Sequence, residues 1–104
     1  MQVHDLKTWP NQFQPVWDGR KLFTVRYDDR AFKTGDTLVL REWHPLKKQY
    51  TGRRVMSIIT YIAHGQVDFA DGKGQAGFRL GLSDGHCVLG FRFAEKFNDS
   101  TIGV

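Results

Sequence analysis

Cysteine occurs once in this sequence, at Cys87, so an internal disulfide is impossible and a cysteine-built metal cluster has no ligands to draw on. The four histidines are scattered, and His64 and His86 belong to no zinc-ligand spacing, so neither a metal nor any other cofactor is expected. Long apolar runs are also missing. The longest, Val55 to Ala63, is broken by Ser57, Thr60 and Tyr61 and falls far short of the roughly 20 residues of a spanning helix. The first residues, Met1-Gln2-Val3-His4-Asp5-Leu6-Lys7, lack the apolar centre of a secretory leader, which makes the cytoplasm the expected compartment and a membrane an unexpected partner.

What remains is the composition of an ordinary globular chain, 40% hydrophobic and 25% charged, which excludes global disorder. At 104 residues it has room for one core, so residues 1–104 read as a single domain. The net charge of +4 is unevenly spread. Residues 20–54 hold ten Lys or Arg against four acids, a balance of +6, and the rest of the chain carries −2. A phosphate-binding face produces this asymmetry, and so does a solvated basic surface.

The patterning predicts a mainly β domain. Leu22 to Tyr27, Thr37 to Trp43, Val55 to Ile62 and Cys87 to Phe93 are rich in β-branched and aromatic residues, with His4 to Thr8 as a fifth strand. Glycines at 19, 35, 52, 65, 72, 74 and 85 stand at turn positions, and Asp84-Gly85 reads as a hairpin connection into the last strand. Strands this short and this spaced favour a small barrel. Thr8 as cap, Pro10 in the first turn, Phe13, Val16 and Trp17 on one face and Gly19 as terminator predict an early helix, which Pro15 shortens or breaks. The Gly-rich stretch from Gly65 to Gly77 reads as a long loop, able to act as a lid.

The candidate site begins at Gly19-Arg20-Lys21-Leu22-Phe23-Thr24-Val25-Arg26, where a turn glycine precedes a Lys, a hydroxyl and an Arg. Those groups supply charge and hydrogen bonds to anions or polar bases. Strict alternation puts Lys21 with Phe23 and Val25, but Thr24 with Leu22 and Arg26. Lys21 and Thr24 meet only if the strand starts after Lys21 or is bulged there.

These residues lie inside a wider pattern. His4-Asp5-Leu6-Lys7-Thr8-Trp9-Pro10, Phe13, Gly19-Arg20-Lys21, Phe23, Arg26, Asp29-Arg30, Phe32, Gly35-Asp36, Leu38, Leu40-Arg41-Glu42-Trp43 and Tyr50-Thr51-Gly52-Arg53 resemble a small bacterial and phage family of ASCH-type, PUA-like domains over residues 4–93. The resemblance implies a PUA-like β-barrel with one or two short flanking helices, whose relatives bind RNA or modified nucleosides in a cleft beside the barrel. The relatives' signature, Gly-x-Lys-x-x-Glu-x-Arg, is matched by Gly19, Lys21 and Arg26, with Thr24 in the place of the acid. Thr24 follows instead the Gly-Arg-Lys-x-x-Thr-x-Arg pattern of bacterial N4-acetylcytidine amidohydrolases, to which Phe32-Lys33-Thr34-Gly35-Asp36 is similar as well. That likeness implies Lys21 as base and Thr24 as nucleophile, with a later glutamate supporting them. The corresponding region here offers only Asp68 and Asp71.

A cleft that binds RNA or a modified nucleoside is the resulting expectation. His4, Lys7, Trp9, Gly19, Lys21, Thr24, Arg26, Arg30 and Trp43 are the residues expected at it, Lys7 and Arg30 taking phosphates; of the aromatic residues Trp9, Trp17, Trp43 and Tyr50 that a basic groove offers to unpaired bases, Trp9 and Trp43 are the expected stacking platforms. Arg30 has the alternative of pairing with Asp28 or Asp29. Trp17 reads as core, Gly35-Asp36 as a turn and Cys87 as a buried strand residue. Two other functions stay open: hydrolysis of an N4-acylated cytidine by Lys21 and Thr24, and a phage or bacterial protein-interaction module with a protein partner.

Overall fold

The computed structural model describes residues 1–64 and 85–99, so the expected loop from Gly65 to Gly77, with Asp68 and Asp71, and the residue Asp84 lie outside the described residues. In chain order the elements are β1 (Val3–Thr8), α1 (Pro10–Trp17), β2 (Phe23–Tyr27), β3 (Thr37–His44), β4 (Gln49–His64) and β5 (His86–Asn98). All five expected strands are present. The ends differ most at β4 and β5, which run past the apolar segments because they remain paired with each other out to Arg53 and Asn98.

The strands form one sheet in the order β1-β3-β4-β5-β2, with β1 parallel to β3 and every other pair antiparallel. Register shifts between Arg41 and Trp43, Met56 and Ser57, and Ile59 and Tyr61 bend the long strands, as extra unpaired residues do. The result is a mainly β domain with one short helix and a curled, open half-barrel sheet.

The core lies inside the curl. Leu38 and Leu40 of β3, Val55 and Ile59 of β4, and Cys87, Leu89 and Phe91 of β5 point inward at alternate positions and meet Leu6, Phe32 and the helix residues Phe13 and Val16. Each such Leu, Ile or Phe contributes about 1.5–3 kcal/mol by leaving water. Cys87 is fully buried, and burial, with Asp28 nearby, pushes its thiol up to about 11, so it is a packing residue as expected. Trp17 packs partly buried against the same cluster, 5.9 Å from the Phe13 ring.

Helix α1 differs from expectation at both ends. Trp9 is the N-cap and makes no side-chain cap bond, whereas Thr8 ends β1, and its hydroxyl donates back to the Leu6 carbonyl. Pro15 leaves the helix intact. In so short a helix its missing N–H removes a single bond, and the Pro15 carbonyl serves the C-terminus by accepting from Arg20 N at 2.9 Å. Gly19 N reaches the Val16 carbonyl at 3.0 Å, and Gly19 has φ +78°, which completes a Schellman cap.

Candidate functional site

The two edge strands of the half-barrel, β1 and β2, face each other across a gap that side chains bridge. Arg26 of β2 donates from Nη1 to the Lys7 carbonyl at 2.9 Å, from Nη2 to the Thr8 hydroxyl at 2.8 Å and from Nε to the Thr24 hydroxyl at 3.2 Å. Further along, Arg30 donates to the Asp5 carbonyl at 3.0 Å. Strand β2 is patterned in reverse as a consequence. Thr24 is buried and Arg26 half-buried toward the seam, while Phe23, Val25 and Tyr27 are exposed.

Above the seam opens a cleft of about 860 Å³, lined by Lys7 of β1, Trp9 just after it, Asn11, Gln12 and Pro15 of α1, and Lys21, Phe23, Thr24, Val25 and Arg26 leading into and along β2. Among the described residues its walls hold three cations, Lys7, Lys21 and Arg26, and no carboxylate. Lys21 donates to the Gln12 side-chain oxygen at 2.5 Å, a neutral partner like all three of Arg26's acceptors. Burial lowers the pKa of Lys21, with the Arg26 charge adding to it; burial also lowers that of Arg26, with Arg30 as the second cause. Partly desolvated cations that meet only neutral acceptors leave an unbalanced positive field, and an anion relieves it.

Five of the nine residues the sequence placed here line the cleft: Lys7, Trp9, Lys21, Thr24 and Arg26. Trp9 is exposed, ready to offer a ring face. Strand β2 begins at Phe23, after Lys21, which meets the condition for Lys21 and Thr24 to share one cleft. Their polar atoms are nonetheless engaged separately, the amine by Gln12 and the hydroxyl by Arg26.

The other four stand elsewhere. His4 is buried, its Nε2 2.9 Å from Asp36 Oδ2 and its ring edge-on to Phe32, because even-numbered β1 residues face the core. Asp36 is thus more than the expected turn residue. It also accepts from the backbone N–H groups of Gln2 and Lys33, and the His4 bond, with these, holds its carboxyl below the usual range. Gly19 serves the helix cap. Arg30 spans the seam to Asp5, with Asp29 at 3.7 Å as its ion-pair partner. Trp43 lies outside the cleft but touches it through Lys7, whose Nζ sits 3.9 Å from the Trp43 ring centroid.

Phe23 and Val25 of β2 line the cleft without having been expected there, and so do Asn11, Gln12 and Pro15 of α1. The helix residues lie opposite or beside the Phe13–Val16 face of α1, and a helical projection of that segment identifies them as the outward residues. The buried Glu42 was missed too. It accepts from Arg53 at 2.8 Å and from Thr51 at 2.7 Å, and these bonds lower its pKa.

Among the described residues no cluster of three or more His, Cys, Asp or Glu is placed to hold a metal ion, and no helix is long and apolar enough to cross a membrane. Fold and site together define a small half-barrel domain with a cationic cleft along its open seam. The chain belongs to a family described as a domain of unknown function, DUF3850, whose model matches residues 3–91. It is also similar to an uncharacterized 12.9 kDa protein in the GpA 3′ region of Escherichia phage P2, 37% identical over 59 residues. That match takes in 57% of this chain and 52% of the phage protein, so the chain spans about half the length of the curated relative it matches.

Proposed function

We propose that the seam cleft binds RNA or a modified nucleoside, with its phosphate on Lys21 and Arg26 and its base against Trp9. The observation that carries this reading is the set of three lining cations, which among the described residues have neutral partners and no acid beside them in the lining. Asn11 and Gln12 add amide donors and acceptors suited to a base edge. The curled sheet with a helix beside its open seam supports the PUA-like reading of the fold.

The test is titration of a labelled single-stranded RNA into the wild-type chain and into Lys21→Ala and Arg26→Ala at several salt concentrations. Both variants weaken binding and flatten the salt dependence by about 0.7 per lost phosphate contact. Unchanged affinity in both variants, each shown to be folded, would reject the site.

A second reading, a protein-interaction module of phage or bacterial origin, is supported by the phage relative and by the exposed apolar row of Phe23, Val25 and Tyr27 on β2. Strand β2 is a sheet edge, a place where proteins add partner strands. A protein captured from lysate after nuclease treatment, and lost in Tyr27→Glu, which lies outside the cleft lining, would favour this reading over the first.

A further inference from the structure

Lys7 belongs to two surfaces at once. It lines the seam cleft, and its amine covers a face of Trp43 on the outside of the sheet. Trp43 meets Tyr50 edge-on at 4.9 Å, and Arg41, which is paired with the Asp5 carboxylate at 3.0 Å, lies 5.7 Å from the Tyr50 ring centroid. Beyond Tyr50 the turn between β3 and β4 presents Lys47 and Lys48, both exposed, beside a second depression of about 390 Å³ lined by His44, Lys47, Gln49, Tyr50 and their neighbours. The β3 register shift between Arg41 and Trp43 lies within this row of cations and aromatic rings, at a point where a strand's side chains are re-aimed.

We infer that this row is a second nucleic-acid subsite, continuous with the cleft, and that the ligand is a single strand several nucleotides long rather than a lone nucleoside. Alternating cations and rings match the alternating phosphates and bases of an unpaired strand. Tyr50 supplies the exposed ring and Lys47 and Lys48 supply charge, and among the described residues Asp99 is the one carboxylate that lines the depression. Asp99 is itself held by Arg54 at 2.6 Å. Duplex does not fit this pattern, because its bases are already stacked and unavailable to the rings.

The inference rests on the cleft reading, and one experiment separates their failures. Nucleoside 5′-monophosphates and a single-stranded hexanucleotide are titrated into the wild-type chain, Tyr50→Ala and the Lys47→Gln/Lys48→Gln double variant. The hexanucleotide binds the wild type about tenfold or more tighter than the mononucleotides, and both variants lose most of that excess while their mononucleotide affinity is unchanged. Equal affinity for mononucleotide and hexanucleotide overturns the second subsite and leaves the cleft standing. No binding of either probe overturns both. Equal competition by a polyglutamate peptide overturns the strand ligand, because charge alone would then suffice.

Discussion

Arg26 of β2 donates to the Thr8 hydroxyl of β1 at 2.8 Å, joining two sheet edges that no backbone ladder joins. The same guanidinium lines the cleft. One residue therefore closes the seam and supplies charge to a ligand, and its two roles are separable by experiment.

Arg26→Ala removes three hydrogen bonds made by a cation and is expected to lower stability by about 2 kcal/mol, read as a shift of the urea midpoint. Arg26→Lys restores the charge without the fork that reaches two β1 acceptors together. It should recover part of the ligand affinity and little of the stability. A midpoint identical to wild type in both variants would show that the seam does not need this clasp.

Lys21 makes a sharper probe of binding, since the hydrogen bond of its side chain goes to the Gln12 side chain at the surface of α1. Lys21→Gln should leave the urea midpoint within about 0.5 kcal/mol of wild type, the range of ordinary surface changes. Its RNA affinity should nevertheless fall several-fold at low salt. Loss of stability without loss of affinity would reverse the assignment.

The sequence made the strands legible because their alternation is strong wherever one face is buried, as in Leu38, Leu40 and Glu42 of β3. Strand β2 was legible as a strand with Thr24 and Arg26 on one face, but local sequence did not say that its apolar residues Phe23, Val25 and Tyr27 lie outward because the seam takes Thr24 and Arg26. His4 carried the family pattern and still proved a core residue, for local sequence does not reveal that Asp36, across the parallel β1–β3 pairing, meets its ring. Gly19 followed the same course, since a helix-capping glycine and a ligand-approach glycine look alike until the backbone is placed.

Gly19→Ala tests that reassignment. The position has φ +78° and open space where a Cβ would stand, so the cost is conformational alone, about 1 kcal/mol. Thermal unfolding should shift by a few degrees with RNA affinity unaltered. An affinity loss without a stability loss would return Gly19 to the site.

Acid should destabilise the domain through Asp36 and Glu42. Both carboxyls are held below their ordinary values by hydrogen bonds from His4 and from Arg53, respectively, and both side chains are buried. The unfolded chain therefore binds more protons than the folded one between the folded-state values and about pH 4, and stability rises with pH across that window. Their contribution is complete above it and is lost as pH falls through the folded-state values. Urea midpoints measured from pH 6 downward should decline below about pH 4.5, and Asp36→Asn should flatten the decline while lowering stability at neutral pH. A flat wild-type profile down to pH 3 would contradict it.

Thr24 decides between binding and hydrolysis. Its hydroxyl oxygen accepts from the Arg26 guanidinium, which engages one of its two lone pairs and lowers the electron density on the oxygen, and the Lys21 amine donates to Gln12 instead of facing the hydroxyl. Burial and the Arg26 charge lower the Lys21 pKa, yet a base must also reach the hydroxyl proton. The binding reading therefore expects N4-acetylcytidine to be recovered intact after incubation with the wild-type chain, with Thr24→Val weakening its binding modestly. Acetate released by the wild type and abolished in both Thr24→Val and Lys21→Gln would overturn that expectation. The cleft would then be an amidohydrolase site, with Arg26 orienting the hydroxyl instead of merely closing the seam.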